Sequence, residues 1–500
     1  MSENKNVLSK FPREYWVSIF YEFVERGAYY GVMSILSVYL VASASDGGLG
    51  FSKMQAGAIK GTIQPILYGL PIFCGAIADR FGYRRTLMAA FLLLGAGYLA
   101  SSRMTSFWGF FMAMIVMSLG AGAFKPVISS TIARVTDEKT STLGFGIFYW
   151  SINLGAFLFP LLVVPAMRDN FGWSYVFVAS GIAVLLMIIP NIFVYREPPK
   201  PESTKTIVQV FGEAVKVLGD LKFISLLVIY SGFWVLYFQM FDTVLWYITE
   251  YASTAPVENG VNGLLSSFVA SPSFKLRPEH MTVINAAAII TLQLFVSNAT
   301  KSTKALPTMI TGILFGTVGM GLIAYSAFTV ERTAAELGLA GAAELMKTAS
   351  HPSMTFHAWS LIAGVVLFTL GEMTAHPKFI SYVGLIAPKD KVATYMGYSF
   401  LYGVIGSGLA CLIGPVAYEH FITKNDNPAG MWLFFTCIGI ASIAGLAAYN
   451  RFIAGKPGAK GEEAGAEKGG EAASEPEQAS EPEQASEPEQ ASEKAPEPRD

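Results

Sequence analysis

Residues 22–31 of this chain have the sequence EFVERGAYYG and lie inside the first long apolar stretch. At about 100° per residue on an α-helix, the acids, the arginine and the tyrosines of this stretch fall within an arc of roughly 140°. These residues are Glu22, Glu25, Arg26, Tyr29 and Tyr30. Ionisable groups inside a membrane helix cost roughly 2.5–3.5 kcal/mol each and usually line the path of a solute or proton. A structural ion pair is the alternative, but it needs fewer charges, so the stretch favours a transport path.

The composition of the whole chain is that of a membrane protein. Of its 500 residues, 52% are hydrophobic and only 14% are charged, whereas soluble proteins carry about a quarter charged residues. Apolar runs of about 20 residues, long enough to cross a bilayer, recur along the chain. Because lipid cannot satisfy backbone hydrogen bonds, these runs predict an all-α, polytopic protein in a lipid bilayer. No nucleic-acid partner is expected.

About 12 transmembrane helices are predicted, six on each side of a proline-rich connector that includes Pro198, Pro199 and Pro201. The predicted spans are 15–41, 54–78, 86–102, 107–133, 143–165, 174–195, 223–250, 281–299, 306–328, 357–386, 393–420 and 430–453. The predicted domains are an N-terminal six-helix bundle (1–196), a cytoplasmic linker with a short amphipathic helix (197–222), a C-terminal six-helix bundle (223–455) and a disordered acidic tail (456–500).

The distribution of lysine and arginine predicts the orientation of these spans. If the amino terminus is cytoplasmic, the inner loops carry more basic residues than the outer loops, which is the bias that membrane insertion follows. Both termini are therefore predicted on the cytoplasmic side of the cell inner membrane. The polar start of the chain predicts no cleaved signal peptide.

Catalysis is not indicated by the sequence. The three cysteines, Cys74, Cys411 and Cys437, have unrelated spacings, which predicts neither a disulfide framework nor a metal site. The five histidines are scattered, and no nucleophile motif accompanies them. We therefore expect neither an enzyme nor a bound cofactor or metal.

Two sets of motifs resemble a known family. Residues 75–85, GAIADRFGYRR, resemble the loop signature of the major facilitator superfamily. The Glu-x-x-Glu-Arg pattern followed by Tyr-Tyr-Gly, in residues 22–31, resembles the signature of the proton-dependent oligopeptide transporters, a family within that superfamily. Further matches occur in the expected order, and the resemblance covers roughly residues 11–455. These matches are Lys125-Pro126, residues 148–155, Phe233-Trp234, Gln239, Asn285 and Gly371-Glu372-Met373.

The resemblance implies a role for each matching residue. Arg26 and Lys125 would bind a peptide carboxylate, the first as a planar fork and the second as a point charge. The residues implied for the α-ammonium group are Glu372, Asn153 and Asn285. The remaining substrate-binding residues would be Tyr29, Tyr30, Tyr68, Trp234 and Ser399. Helix rise alone places Glu25, Lys125 and Glu372 near the midplane, where such transporters bind substrate between their halves.

Three acids are candidates for proton coupling: Glu22, Glu25 and Glu372. Burial favours the protonated form of a carboxyl group and a nearby cation favours its ionised form, so pairing and unpairing would bind and release a proton. Depth alone suggests an outer gate, because Lys60 and Asp242 each lie about six to eight residues from the outer face. Two separate water-exposed charges are the alternative for this last pair.

The chain departs from the family pattern at several positions. Gly27 stands where an aromatic residue is usual, His376 precedes Pro377 in the tenth span, and Ser399 replaces an aromatic pocket residue. These changes are expected to widen the pocket, and His376 is interpreted as a structural histidine, with a proton relay as the alternative.

The expected function is a proton-coupled symporter that imports di- and tripeptides by alternating access and acts as a monomer. The alternatives are a carrier for another amphoteric or anionic solute, by symport or antiport, and a nutrient sensor without net flux.

Overall fold

The computed structural model describes residues 8–137, 140–198, 207–347, 351–388 and 391–454, and these residues form helices without any β-strand. The helices of the first half are α1 (Arg13–Val41), α2 (Lys53–Gly69), α3 (Pro71–Phe81), α4 (Tyr83–Ser101), α5 (Phe107–Val135), α6 (Ser141–Leu158), α7 (Val164–Phe171), α8 (Ser174–Leu186) and α9 (Ile188–Phe193). Those of the second half are α10 (Ile207–Leu218), α11 (Leu221–Gln239), α12 (Thr243–Trp246), α13 (Ala255–Leu265), α14 (Glu279–Thr300), α15 (Ala305–Glu336), α16 (Ala342–Lys347), α17 (Pro352–Ile386), α18 (Val392–Ser399), α19 (Leu401–Ala417) and α20 (Pro428–Tyr449).

Several of these helices continue one another, so the described residues form twelve long helical segments, six before α10 and six after it. Nine segments are long and apolar enough to cross a membrane, and the bent pair α2–α3 makes a tenth. The two others are α1 and α4, whose apolar residues are diluted by Glu25 and Arg26 in α1 and by Arg84 and Arg85 in α4. The all-α, polytopic architecture predicted from the sequence is confirmed.

Local sequence explains how the segments begin and bend. Ser52 and Gln55 form a capping box that satisfies two free backbone N–H groups at the start of α2. Pro71 opens α3, and the axes of α2 and α3 differ by 48°, as expected where a proline removes a helical hydrogen bond. Asp220 caps α11 by accepting from the backbone N–H groups of Lys222 and Phe223.

Small residues allow close packing of helices within and between the halves. A Cβ at Gly371 of α17 would come within 2.4 Å of the Gly312 carbonyl oxygen of α15, so both positions need glycine. Between the halves, α2 packs on α19 and α6 packs on α14. A Cβ at Gly57 of α2 would likewise lie 2.4 Å from the Cys411 carbonyl oxygen. This contact holds the two halves together beside Lys60.

Two ends of the molecule are distinguished below. The distal end carries residues 42–52, between α1 and α2, and the linker end carries α10. Helix α10 lies within the predicted linker, 197–222, although the domain limits themselves remain predictions. The predicted acidic tail, 456–500, lies outside the described residues.

Candidate substrate and proton site

The charged cluster of α1 is held together within its own helix. Arg26 donates from Nε to Glu25 Oε2 at 2.5 Å and from Nη2 to Glu25 Oε1 at 2.8 Å. Its Nε also lies 3.6 Å from Glu22 Oε1, and the guanidinium stands 4.9 Å from the centre of the Tyr29 ring. All four side chains are buried. Glu25 occupies the Nε–Nη2 edge of Arg26, so another carboxylate must either displace Glu25 from that edge or bind at the Nη1–Nη2 end of the guanidinium.

Lys125 of α5 supplies a cation that is not paired in this way. Its Nζ lies 5.3 Å from the centre of the Tyr68 ring and 5.4 Å from that of the Phe400 ring, within the range of cation–π attraction. It forms no ion pair with any acid in the described part of the chain. Because the side chain is only half-buried, its ammonium group remains available to an anionic group of a ligand.

Glu372 of α17 is the corresponding acid of the second half. Asn285 of α14 donates from Nδ2 to Glu372 Oε2 at 3.3 Å and to Thr369 Oγ1 at 2.9 Å. Glu372 is half-buried and has no cationic partner among the described residues. The structure therefore brings Glu372 and Asn285 together, as the sequence resemblance implies. Asn153, in contrast, donates to the Tyr149 carbonyl oxygen of its own helix, at 3.0 Å.

The predicted aromatic residues Tyr68 and Trp234 pack against further aromatic rings. Tyr68 stands edge-on to Phe238 at 5.9 Å, and the Trp234 ring packs between Tyr237 at 4.7 Å and Tyr402 at 4.6 Å. The Trp234 ring is buried, and its Nε1 makes no hydrogen bond of standard geometry among the described residues, although it lies near the Tyr230 hydroxyl.

The two tyrosines of α1 differ in their partners. Tyr29 donates from its hydroxyl to Gln64 Oε1 at 3.1 Å, which fixes it against α2. Tyr30 is half-buried and packs at 5.2 Å from the Tyr29 ring and at 6.5 Å from the Phe241 ring of the second half. Of the two, Tyr30 is the one at the boundary between the halves.

The departures from the family pattern have structural explanations that differ in part from those expected. A Cβ at Gly27 would lie 2.3 Å from the Phe159 ring, so this glycine makes room for Phe159 and does not widen the pocket as predicted. Ser399 is buried and donates to the Met396 carbonyl oxygen at 2.7 Å, within its own helix. His376 contacts Tyr230 at 3.4 Å and packs beside Trp234 at 5.4 Å, which favours the structural interpretation.

Lys60 and Asp242, proposed as a pair from depth alone, are in contact and buried. Lys60 Nζ also donates to Ser37 Oγ and to the Phe241 carbonyl oxygen, both at 2.8 Å, and Ser37 donates to Asp242 at 2.5 Å. Cys411 Sγ lies 3.8 Å from the other Asp242 carboxylate oxygen. Residues from α1, α2, α19 and the short break between α11 and α12 thus meet in one network between the halves.

A second group of ion pairs joins the halves at the distal end, and sequence reasoning missed it. Arg168 donates from Nη1 to both carboxylate oxygens of Glu279, at 2.7 and 2.8 Å, with both side chains buried. Arg277 binds Asp169 at 2.7 and 2.6 Å. We call these four residues the distal clasp. In the sequence these four residues look like ordinary charges beside loops. The detectable signal is that Arg168 and Asp169 follow one predicted span, that Arg277 and Glu279 precede another, and that these two span ends lie on the same predicted side of the membrane.

The chain belongs to the Major Facilitator Superfamily, whose family model matches residues 16–410. This membership makes it a multi-pass membrane carrier and not an enzyme, in agreement with the class predicted from the motifs.

Individual relatives are similar to part of this chain. "Uncharacterized transporter YclF" of Bacillus subtilis (strain 168) is 34% identical over 181 residues, which are 36% of this chain and 37% of that protein. "Peptide transporter YePEPT" of Yersinia enterocolitica is 33% identical over 34% of each chain. "Di-/tripeptide transporter" of Lactococcus lactis is 34% identical over 40% of this chain and 41% of its own. The matches thus cover between a third and about two fifths of these relatives.

Solved structures extend the likeness of the fold to almost the whole chain. A POT family transporter in complex with 5-aminolevulinic acid gives a TM-score of 0.67 at 19% identity, covering 89% of this chain and 99% of its own. The peptide transporter POT in complex with sulfate gives 0.64 at 21% identity, covering 88% and 94%. The superfamily fold seen in the helices is thereby confirmed.

Proposed function

We propose that this carrier is a proton-coupled symporter that imports di- and tripeptides across the cytoplasmic membrane, with both termini in the cytoplasm. The supporting observation is the pairing state of three charges: Lys125 and Glu372 have no ionic partner among the described residues, while Arg26 is held only by its own helix. A zwitterion can join such groups across the two halves, its carboxylate at Arg26 and Lys125 and its ammonium at Glu372. Partial relatives named as peptide transporters support the same substrate class.

Proton coupling follows from competition for Arg26. An ionised Glu25 occupies the guanidinium through two hydrogen bonds, whereas a protonated Glu25 loses the charge that makes those bonds strong. The peptide carboxylate then takes the place of Glu25, and a proton enters with each bound substrate. Glu22, at 3.6 Å from Arg26, is placed to share that proton.

We infer that this conformation is closed at the outer side of the membrane. We assign the distal end to the outside, where the halves are joined through Lys60 and Asp242, through the distal clasp, and through Lys53 and Glu250 at 2.7 Å. Alternating access requires these contacts to break and re-form while substrate is held near the midplane. Lys60 and Asp242 act as the gate in this proposal, and one chain suffices for the cycle.

Uptake of a radiolabelled dipeptide, Ala-Ala, into proteoliposomes under an inward acid gradient tests the function. We expect gradient-dependent accumulation that unlabelled di- and tripeptides inhibit and that free alanine and longer peptides do not. Binding of Ala-Ala without uptake would instead identify a sensor, and uptake that ignores the gradient would remove the proton role. Accumulation of only another amphoteric or anionic solute would replace the peptide with that solute.

The gate is tested by exchanging its charges. Lys60→Asp and Asp242→Lys are each expected to lower uptake by at least tenfold, because each leaves two like charges buried together. The double variant K60D/D242K restores an opposite pair and should recover much of the lost uptake. Lys53→Glu with Glu250→Lys is the matched control at a more exposed pair, where smaller effects are expected. Failure of the double variant, with normal membrane levels, would count against the gate.

A further inference from the structure

An exposed apolar cluster lies at the tip of the connection between α12 and α14. Leu264, Leu265, Phe268 and Val269 have exposed fractions of 72, 36, 86 and 52%. We call these four residues the apolar tip. The neighbouring residues Ser266, Ser267 and Ser271 are polar and exposed, so the tip concentrates exposed apolar side chains in a stretch that also contains exposed serines. Contiguous exposed apolar surface of this kind marks a contact with a partner or with a membrane.

The connection presents this tip from a fixed framework. Asn262 of α13 accepts from the Phe274 backbone N–H at 2.7 Å and donates to the Phe274 carbonyl oxygen at 3.0 Å, tying the two sides of the connection together. Glu258 accepts from the Leu276 N–H at 3.0 Å and from the Thr254 hydroxyl at 2.9 Å. The backbone on both sides of the tip is therefore held in position, while the exposed tip side chains pack into no hydrophobic core of the described residues.

The framework stands beside membrane-facing aromatic residues. Helix α13 packs on α17, and a Cβ at Gly260 would lie 2.9 Å from the Trp359 ring. Trp359 is 41% exposed on a membrane segment, seven residues after its start. On the same end of the bundle, Phe356 of α17 stands 6.1 Å from Tyr325 of α15, and both are exposed. Exposed tryptophan, tyrosine and phenylalanine at the end of a span are typical of the membrane interface.

We propose that the apolar tip inserts into the lipid leaflet at the distal end and anchors this connection in the membrane interface. The continuity from Trp359 through α13 to Leu264 and Phe268 favours lipid over a protein partner, because the base of the connection already lies at the depth of the interfacial aromatic residues. Leucine and phenylalanine are the side chains that interfacial segments bury among headgroups and acyl chains. The inference needs only a membrane protein and is independent of the transported solute.

Electron paramagnetic resonance of a nitroxide at position 268 tests the anchor in liposomes of the full chain. The label is attached to Phe268→Cys in a variant whose three native cysteines are replaced by alanine. Collision with dissolved oxygen, which concentrates in lipid, is compared with collision with a water-soluble nickel chelate. Labels at Leu314→Cys, on an exposed face of α15, and at Ala335→Cys, exposed in the last turn of α15 at the distal end, are the lipid and water references.

The label at position 268 is expected to favour oxygen over the nickel chelate by several-fold, as at position 314. A ratio like that at position 335 would show the tip in water and overturn the proposal, and protection from both reagents would overturn it in favour of a protein partner. If the cysteine-free chain does not fold, Phe268→Trp in the native background replaces it. Brominated lipids should then quench the fluorescence that this tryptophan adds, and an unquenched increment would refute the anchor.

Discussion

The acid cluster of α1 and the single acid of α17 contain the same carboxyl group in opposite surroundings. In α1, Glu25 is buried and receives two short hydrogen bonds from the adjacent arginine. In α17, Glu372 is half-buried and receives one amide hydrogen bond, at 3.3 Å. The first half therefore carries its own counter-ion, and the second half offers an uncompensated charge. Under the proposed function, this difference assigns different partners to the two halves: a proton to the first and the ammonium group of the substrate to the second.

Arg26→Gln tests the acid cluster of α1 and should have the largest effect. Removing the guanidinium leaves Glu22 and Glu25 buried without a cation and also removes the fork for the carboxylate. We expect a loss of at least about 100-fold in kcat/KM for Ala-Ala uptake, which corresponds to about 2.7 kcal/mol. Arg13→Gln, at the exposed start of the same helix, is the control and should change uptake little. Near-normal uptake by R26Q would show that the acids of α1 do not depend on Arg26 as their counter-ion.

Glu372→Gln tests the second half. The amide keeps the shape of the side chain and a partner for Asn285 but removes the charge that attracts an ammonium group, so KM for Ala-Ala should rise by about 10- to 30-fold. An N-acetylated Ala-Ala lacks that ammonium group, and its inhibition constant should be nearly the same for the variant and the parent protein. Competition uptake measures both values. An equal loss for the two ligands would show that Glu372 does not bind the ammonium group.

The pH dependence of binding sharpens the assignment of the proton. The proposed release of Arg26 by a proton predicts that affinity for N-acetyl-Ala-Ala, which avoids Glu372, rises several-fold as pH falls. Glu25→Gln resembles the protonated acid and should bind this ligand with the higher affinity at every pH. Calorimetric titration between about pH 5 and 8 checks both statements. If E25Q keeps the pH dependence of the parent protein, Glu22 or Glu372 becomes the titrating group.

Asn285→Ala should have the smallest effect of the series. Asn285 orients Glu372 through one hydrogen bond, and because this bond is long, at 3.3 Å, we expect it to contribute about 1 kcal/mol, or a change of roughly fivefold. The change should appear in KM for Ala-Ala uptake and leave the affinity for the N-acetylated ligand unaltered. Asn153→Ala, whose amide is turned to its own helix, is the matched control. A larger effect at Asn153 would show that its side chain reorients when substrate binds.

Features that depend on one helix could be predicted from the sequence, whereas contacts between distant helices mostly could not. Periodicity and apolar length predicted the spans, and equal depth predicted that Lys60 and Asp242 could meet. The fit between Gly27 and Phe159 was not predictable, because the residue that fills the space of a missing side chain belongs to another helix. The distal clasp was missed for the same reason, since charges beside loops resemble solvated residues until the fold brings Arg168 to Glu279.

The loosely bonded indole of Trp234 has a consequence for substrate range under the proposed function. Its Nε1 makes no hydrogen bond of standard geometry and has only the Tyr230 hydroxyl beside it among the described residues. A peptide carbonyl would give this buried N–H a better acceptor. Because that carbonyl belongs to the main chain, the same bond would form with every short peptide, whatever its side chains.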